Sequence, residues 1–236
     1  MIETLIVGGA RTPFGAWAGG KNGAGGAGGA LKTLDPFDLG AAALKGALLR
    51  SSLPAGKLDK IIFGNMYHVG PHACYGARYV GHRAGLNPKV TGMTVSLACG
   101  TGLQALITAA EHIASGACGA VAAVGADNVS LVSRKVFVPS FEDISCGMHI
   151  ALTAQEMSRD YGFGRKDFDR WARLSHERAL KARAHGLFKD EIIEASGWAL
   201  EQDDLIQNEP RADFFAQSQR LFDEEGSMTH ANCHGI

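Results

Sequence analysis

Four short runs of apolar and β-branched residues, each separated from the next by enough chain for a helix, constrain this chain more than any other feature. They cover residues 4–9 (TLIVGG), 58–64 (LDKIIFG), 92–98 (GMTVSLA) and 121–125 (VAAVG). Runs this short, apolar and bounded by glycine suit strands buried in a sheet. Between the first two, Asp35 and Pro36 open a helix as N-cap and first helical residue. Leu39, Ala42, Ala43 and Leu49 give that helix an apolar face to about Arg50. A second helix is expected over 75–86, ended by Gly85 and then Asn87-Pro88. Leu103, Leu106, Ile107 and Ala110 recur at helical spacing and predict a third, amphipathic helix closed by Gly116. Strands alternating with helix-length crossovers make this half an α/β fold with largely parallel pairing.

Beyond Asn128 the pattern changes. Residues 130–145 read as irregular, and helices are expected over 150–161 and 165–185. In the longer one Phe168, Trp171, Ala172, Ser175, Ala179 and Ala182 share a face, with Arg170, Arg173 and Glu177 on a solvated one. A short strand is expected at 191–195 and a helix at 213–220, after Pro210. The expected domains are therefore an α/β core over 1–129, a mostly helical domain over 130–226, and a return segment over 227–236 that breaks off without a capping element. The glycine tract at 19–29 fits neither a P-loop nor a dinucleotide fingerprint and reads as a surface loop.

Composition narrows the function classes. A net charge of −1 without a basic block gives no electrostatic footprint for nucleic acid. No apolar run approaches the roughly 18 residues of a membrane span, and the N-terminus lacks a signal-peptide pattern. Five scattered cysteines are an odd number, which argues against a disulfide framework and for a reducing, cytoplasmic location.

One cysteine stands where chemistry is expected. Cys99 lies between the third strand and the third helix, followed by Gly100, Thr101 and Gly102. Glycines permit a sharp turn, and a helix start directs unpaired N–H groups and a positive dipole end at it. Such a place favours a thiolate, the nucleophilic form of cysteine. Inert core packing is the ordinary alternative for a lone cysteine. Cys146 with His149, and His230 with Cys233 and His234, are zinc-ligand types, but their spacing is no recognised finger. His68, His72 and His82 read as surface or turn residues.

Five segments, in order, resemble the motifs of the thiolase family, the acyl-CoA C-acyltransferases of the acetoacetyl-CoA and 3-ketoacyl-CoA kind. RTPFG at 11–15 resembles the N-terminal signature, and VSLACGTGLQA at 95–105 the nucleophile segment V-N-x-x-C-x-S-G-L-Q-A. GADNVS at 125–130 resembles G-G-x-E-N-M-S, and CGMHIALTA at 146–154 the loop-domain segment lining the substrate channel. THANCHGI at 229–236 resembles T-A-x-N-x-S-G-I/L. The resemblance implies a thiolase-like α/β core half with an inserted, mostly helical loop domain, the C-terminal half being absent. It implies that Cys99 carries the acyl group between CoA thioesters, with the Cys99 N–H helping to hold an oxyanion. It places His149 beside the pantetheine tunnel and puts Ile150 where methionine is usual. It implies acyl-CoA and CoA as substrates with no separate cofactor, no metal, and a homodimer or homotetramer.

Departures from the family pattern are equally specific. Phe214 stands where a CoA-contacting serine is common, His234 replaces the serine of T-A-x-N-x-S-G, and Gln207 takes the place of an arginine near the adenine. The N-E-A-F, G-H-P and C-x-G-G-G segments that supply the family's base and second cysteine do not occur in these 236 residues. The expectation is half of an active site, inactive as this chain alone. The other half is to come from a longer protein or from a second chain that makes this one a non-catalytic acyl-CoA-binding or assembly subunit.

Overall fold

Three consecutive side chains, Ile61, Ile62 and Phe63, are each at most 1% exposed. They lie on strand β1 (Lys60–Gly64), where successive side chains point to opposite faces. In the computed structural model, which describes residues 3–17, 29–193, 198–206 and 210–233, β2 (Thr91–Val95) and β3 (Val121–Gly125) flank β1. Both run parallel to it, giving the order β2-β1-β3. Ile61 and Phe63 join Phe37, Leu44, Ala77 and Val80 of helices α1 (Pro36–Ser51) and α2 (Gly76–Arg83). Ile62 points the other way, onto Ala105 and Ala109 of α3 (Thr101–Ala114). Helices thus cover both faces, and α2 and α3 are the crossovers of two consecutive βαβ units.

The start of α1 follows the sequence reading: Asp35 accepts from the N–H groups of Phe37 and Asp38, and Pro36 opens the helix. Arg83 from α2 pairs with Asp35 and, at 3.0 Å, with Asp38. Burial opposes the Asp35 charge, but hydrogen bonds from Arg83 and from the Asp38 and Phe37 N–H groups outweigh it and hold the carboxyl below its ordinary range.

Contacts divide the chain into two compact units. The first comprises Met1–Pro13, Ala30–Val132 and Lys189–Gln202; the second Phe14–Gly29, Ser133–Phe188 and Asp203–Ile236. The 189–202 segment joins the first because Arg11 N–H donates to Glu191 O at 2.8 Å and Ile193 N–H to Arg11 O at 2.9 Å. Arg50 adds hydrogen bonds to the carbonyls of Glu191 and Ile192.

The second unit contains α4 (Arg134–Phe137), the hairpin β4 (Glu142–Asp143) and β5 (Met148–His149), α5 (Ile150–Asp160), α6 (Arg165–Ala184) and α7 (Ala212–Ala216). Polar groups hold much of it together. Gln155, fully buried, donates to Asp223 at 2.7 Å, and Ser158 and Ser227 share a buried hydrogen bond at 3.0 Å. Asn232 accepts from Thr229 N–H and donates to Asp169, which accepts from Arg165 at 2.7 Å.

Several sequence expectations are corrected. Residues 4–9 form no ladder, and Leu5, Ile6 and Val7 are all at least 60% exposed. A strand needs a neighbour to take its N–H and C=O groups, and among the described residues the nearest pairing is an isolated bridge between Arg11 and Ile192. That bridge also replaces the short strand expected at 191–195, of which 194 and 195 lie outside the described residues. On α3 the burial is the reverse of the amphipathic reading. Thr101, Ala105, Thr108 and Ala109 are buried, while Leu103, Leu106 and Ile107 are exposed. Small side chains let α3 lie close against the sheet, and the large apolar face is turned out. Trp171, expected on the apolar face of α6, is 64% exposed and lies under the Arg178 guanidinium. The helix expected at 213–220 ends at Ala216, because Arg165 draws the carbonyls of Phe215, Ala216 and Ser218 to itself. Most of the glycine tract lies outside the described residues. Among the described residues no helix is long and apolar enough to cross a membrane.

Candidate active site

Parallel sheets collect functional groups at the carboxyl ends of their strands, where the connecting loops converge. Here three loops leave β1, β2 and β3 on that side, carrying Asn65, Cys99 and Asp127. β1 and β3 end in register on paired glycines, Gly64 opposite Gly125. The missing side chains matter. A Cβ at Gly64 would lie 2.9 Å from Thr101 Cγ2, and one at Gly125 would lie 3.8 Å from the Gly102 Cα. The first turn of α3 therefore sits directly on the strand ends, and Cys99, two residues before Thr101, is held above them.

The Cys99 thiol is free and solvent-exposed. Gly100 serves as the N-cap of α3 without a side-chain hydrogen bond. The preceding residue, Ala98, has φ of 44°, the left-handed region that residues with a Cβ rarely occupy. Backbone bonds close the turn: Gly100 N–H donates to Leu97 O at 2.9 Å and Thr101 N–H to Ala98 O at 3.1 Å. Among the described residues the Cys99 N–H takes part in no hydrogen bond and no side chain bonds to its sulfur. The group is thus a thiol at a helix start, beside an unengaged amide donor, in open solvent.

Next to it, the β1 and β3 loops are tied together. Asn65 is 1% exposed and donates to Ala126 O and to Asp127 Oδ1. Asp127 also accepts from the N–H groups of Met66 and Tyr67 at 3.0 and 2.9 Å. Asp127 keeps an exposed edge, yet desolvation of its carboxylate pushes the carboxyl above its ordinary range, against the pull of those N–H groups and of nearby His68. Asn128 then donates to the carbonyls of Leu31 and Leu34, fixing the exit of β3. Sequence reading singled out none of these as partners. A turn motif such as GADN names residue types, whereas the donors to Asp127 come from about sixty residues earlier in the chain and the carbonyls to which Asn128 donates lie more than ninety residues earlier.

The remaining sequence-predicted residues belong to the second unit. His149 ends β5 and caps α5, its Nδ1 accepting from Ala151 N–H at 3.1 Å, so a neutral ring carries its proton on Nε2. The ring lies between Phe141 and Phe222, with centroids 5.8 and 5.9 Å away. Ile150 follows it, partly exposed. Phe214 is on α7, packed edge-on against Phe215. His234 and Gln207 lie outside the described residues. Phe222 also borders an open hollow of about 790 Å³ walled by Arg165, Ser218, Arg220 and Asp223. Cys146 sits exposed at the tip of the β4–β5 hairpin. Among the described residues no three His, Cys, Asp or Glu side chains gather as metal ligands.

Comparison with known proteins bears on this arrangement. The model of the thiolase N-terminal domain matches residues 4–236. A 3-ketoacyl-CoA thiolase of Bacillus subtilis (strain 168) is 32% identical over an alignment covering 98% of this chain and 62% of that protein. An acetyl-CoA acetyltransferase of Cupriavidus necator is 28% identical, covering 100% of this chain and 64% of that protein. Among solved structures, the Bacillus anthracis acetyl-CoA acetyltransferase superposes with a TM-score of 0.86 at 26% identity, covering 98% of this chain and 62% of the other. Human mitochondrial 3-ketoacyl-CoA thiolase, in complex with CoA, gives 0.83 at 25% identity, covering 94% and 59%. The chain thus spans about three fifths of the length of the relatives it matches.

Proposed function

Since the chain belongs to the thiolase family, we propose that it carries the nucleophile-bearing part of an acyl-CoA C-acyltransferase, with Cys99 as the residue that takes the acyl group. In the forward half-reaction the Cys99 thiolate adds to the thioester carbonyl of an acyl-CoA. The negative charge passes to the carbonyl oxygen, and the Cys99 N–H, which makes no hydrogen bond among the described residues, is proposed to stabilise it. Collapse of that adduct breaks the carbon–sulfur bond to CoA, which leaves as its thiolate and takes up a proton. The acyl-cysteine then delivers its acyl group to a second CoA thiol or to the carbanion of acetyl-CoA, and Cys99 is regenerated.

The observation that carries this reading is the position of Cys99, exposed on a strand–turn–helix junction at the carboxyl end of the parallel sheet. His149, with Ile150 beside it, is assigned to the substrate channel, and Phe214 and His234 to the CoA-contacting positions. CoA thioesters are substrates here, and the reading calls for no cofactor. The base and second cysteine of the family lie in segments these 236 residues do not contain. The polypeptide alone is therefore proposed to be inactive.

Two measurements on the 236-residue chain test this. Iodoacetamide is expected to modify Cys99 ahead of Cys74, Cys118, Cys146 and Cys233, read by peptide mass mapping. Labelling spread evenly over all five overturns the nucleophile assignment. Thiolysis of acetoacetyl-CoA is expected to show no turnover above that of Cys99→Ser, and turnover near that of a full-length thiolase overturns the claim of inactivity.

A further inference from the structure

Among the described residues two non-glycine residues have positive φ, Ser52 at 55° and Ala98 at 44°. Ser52 is the C-cap of α1, where a left-handed residue commonly ends a helix. Ala98 ends no helix. It lies immediately before the proposed nucleophile, so something must hold it in a conformation its Cβ disfavours.

The hydroxyl of Thr101 has the contacts to do so. Leu97 N–H donates to Thr101 Oγ1 at 2.7 Å, and the same hydroxyl donates to Ala98 O at 2.7 Å. One oxygen therefore bridges the N–H before Ala98 and the carbonyl of Ala98 itself, spanning the bent peptide on both sides. Thr101 is 5% exposed, so water competes little for these bonds. Its methyl group sits over Gly64, whose missing side chain makes the room. The residue is thus anchored at one end in the sheet and engaged at the other with the turn. It does not cap its own helix, since the N-cap of α3 is Gly100.

We propose that Thr101 is a positioning residue for Cys99: its hydroxyl holds Ala98 left-handed and so keeps the thiol at the start of α3. The role rests on the reading of Cys99 as nucleophile, but it is tested by cysteine reactivity rather than turnover. Loss of the hydroxyl lets Ala98 relax to negative φ and turns Cys99 away from the helix start.

The test measures the ratio of iodoacetamide rates at Cys99 and Cys146 in the 236-residue chain, by timed quenching and peptide mapping. Cys146 is exposed on the β4–β5 hairpin of the other unit and serves as the internal reference. Thr101→Val keeps the shape and removes the hydroxyl, and is expected to lower the ratio roughly fivefold, the scale of one hydrogen bond. Thr101→Ser keeps the hydroxyl and is expected to restore the ratio to within about twofold of the parent. General unfolding has a different signature, a rise at half-buried Cys118. Should Thr101→Val show that rise, Thr101→Ala, which adds no bulk, is expected to give the same selective loss. An unchanged ratio in a folded hydroxyl-free variant overturns the proposal, as does an equal loss in Thr101→Ser. The parent's own ratio judges Cys99 as nucleophile, and the change between variants judges Thr101, so each reading fails separately.

Discussion

The two units of this chain are held together by different forces. In the first, Ile61, Ile62 and Phe63 are sealed between α1 and α2 on one side and α3 on the other, an apolar core with the buried polar groups Asn65, Thr101 and Asn128 at the carboxyl ends of its strands. In the second, α6 has no fully buried residue, and beside the buried rings of Phe137 and Phe215 the fixed points include polar pairs: Gln155 with Asp223, Ser158 with Ser227, and Asn232 between Thr229 and Asp169. Apolar packing is dense and non-directional, each contact contributing on its own, whereas a buried polar network is worth most when every member is satisfied. The first arrangement suits a platform for a nucleophile. The second makes the shape of the loop-like unit depend on a few specific hydrogen bonds.

The largest effect that separates the two is expected from Phe63→Ala. Phe63 is fully buried, and its ring touches the space above Gly40 and Gly76. Its loss is expected to cost about 3–5 kcal/mol, measured by urea unfolding. Cys118 is expected to become reactive before Cys233, because the damage falls in the first unit. Next comes Asn232→Ala, expected to cost about 2 kcal/mol, since it strands the Thr229 N–H and removes a donor from the Asp169 carboxylate. Its effect should expose Cys233 and leave Cys118 unchanged. Equal exposure of both cysteines in either variant would show that the units unfold as one.

Legibility in the sequence does not divide along the same line, since α5 and α6 of the second unit lie within one residue of the helices expected at 150–161 and 165–185. Strands β1, β2 and β3 are readable as short apolar runs and the helices between them as segments closed by stop signals, but the buried face of α1 is not, since Leu49, expected on its apolar side, is 84% exposed. The Asp35-Pro36 start was readable because capping is local. The outward turn of Leu103, Leu106 and Ile107 was not, because amphipathic spacing shows which residues share a face and not which face meets the sheet. Cys99 is legible from its turn, whereas the role of the Thr101 hydroxyl is not, because its bonds to Leu97 and Ala98 exist only once the turn is folded. The contacts that Gln155, Ser158 and Asp169 make with Asp223, Ser227, Met228 and Asn232 join residues 63 to 73 positions apart, and no local pattern records them.

The smallest expected effect concerns a polar group in the apolar unit. Asp35→Ala should cost about 1 kcal/mol near neutral pH through loss of the α1 cap. Because the folded-state Asp35 carboxyl is held below its ordinary value, its stabilisation is present above about pH 3.9 and is lost as pH falls through the folded value. The stability difference between parent and variant is therefore expected to shrink in acid titration. A difference that stays constant to pH 2 would remove the Arg83 pairing from the account.

The facing glycines at the ends of β1 and β3 have a consequence for how this chain tolerates drift. Gly64 cannot gain even a methyl group without meeting the Thr101 side chain, whereas Gly125 has ordinary van der Waals room. The two positions look alike in sequence, and their mutational spectra should differ. In a library of random variants sorted for Cys99 reactivity, alanine should be purged at 64 and retained at 125.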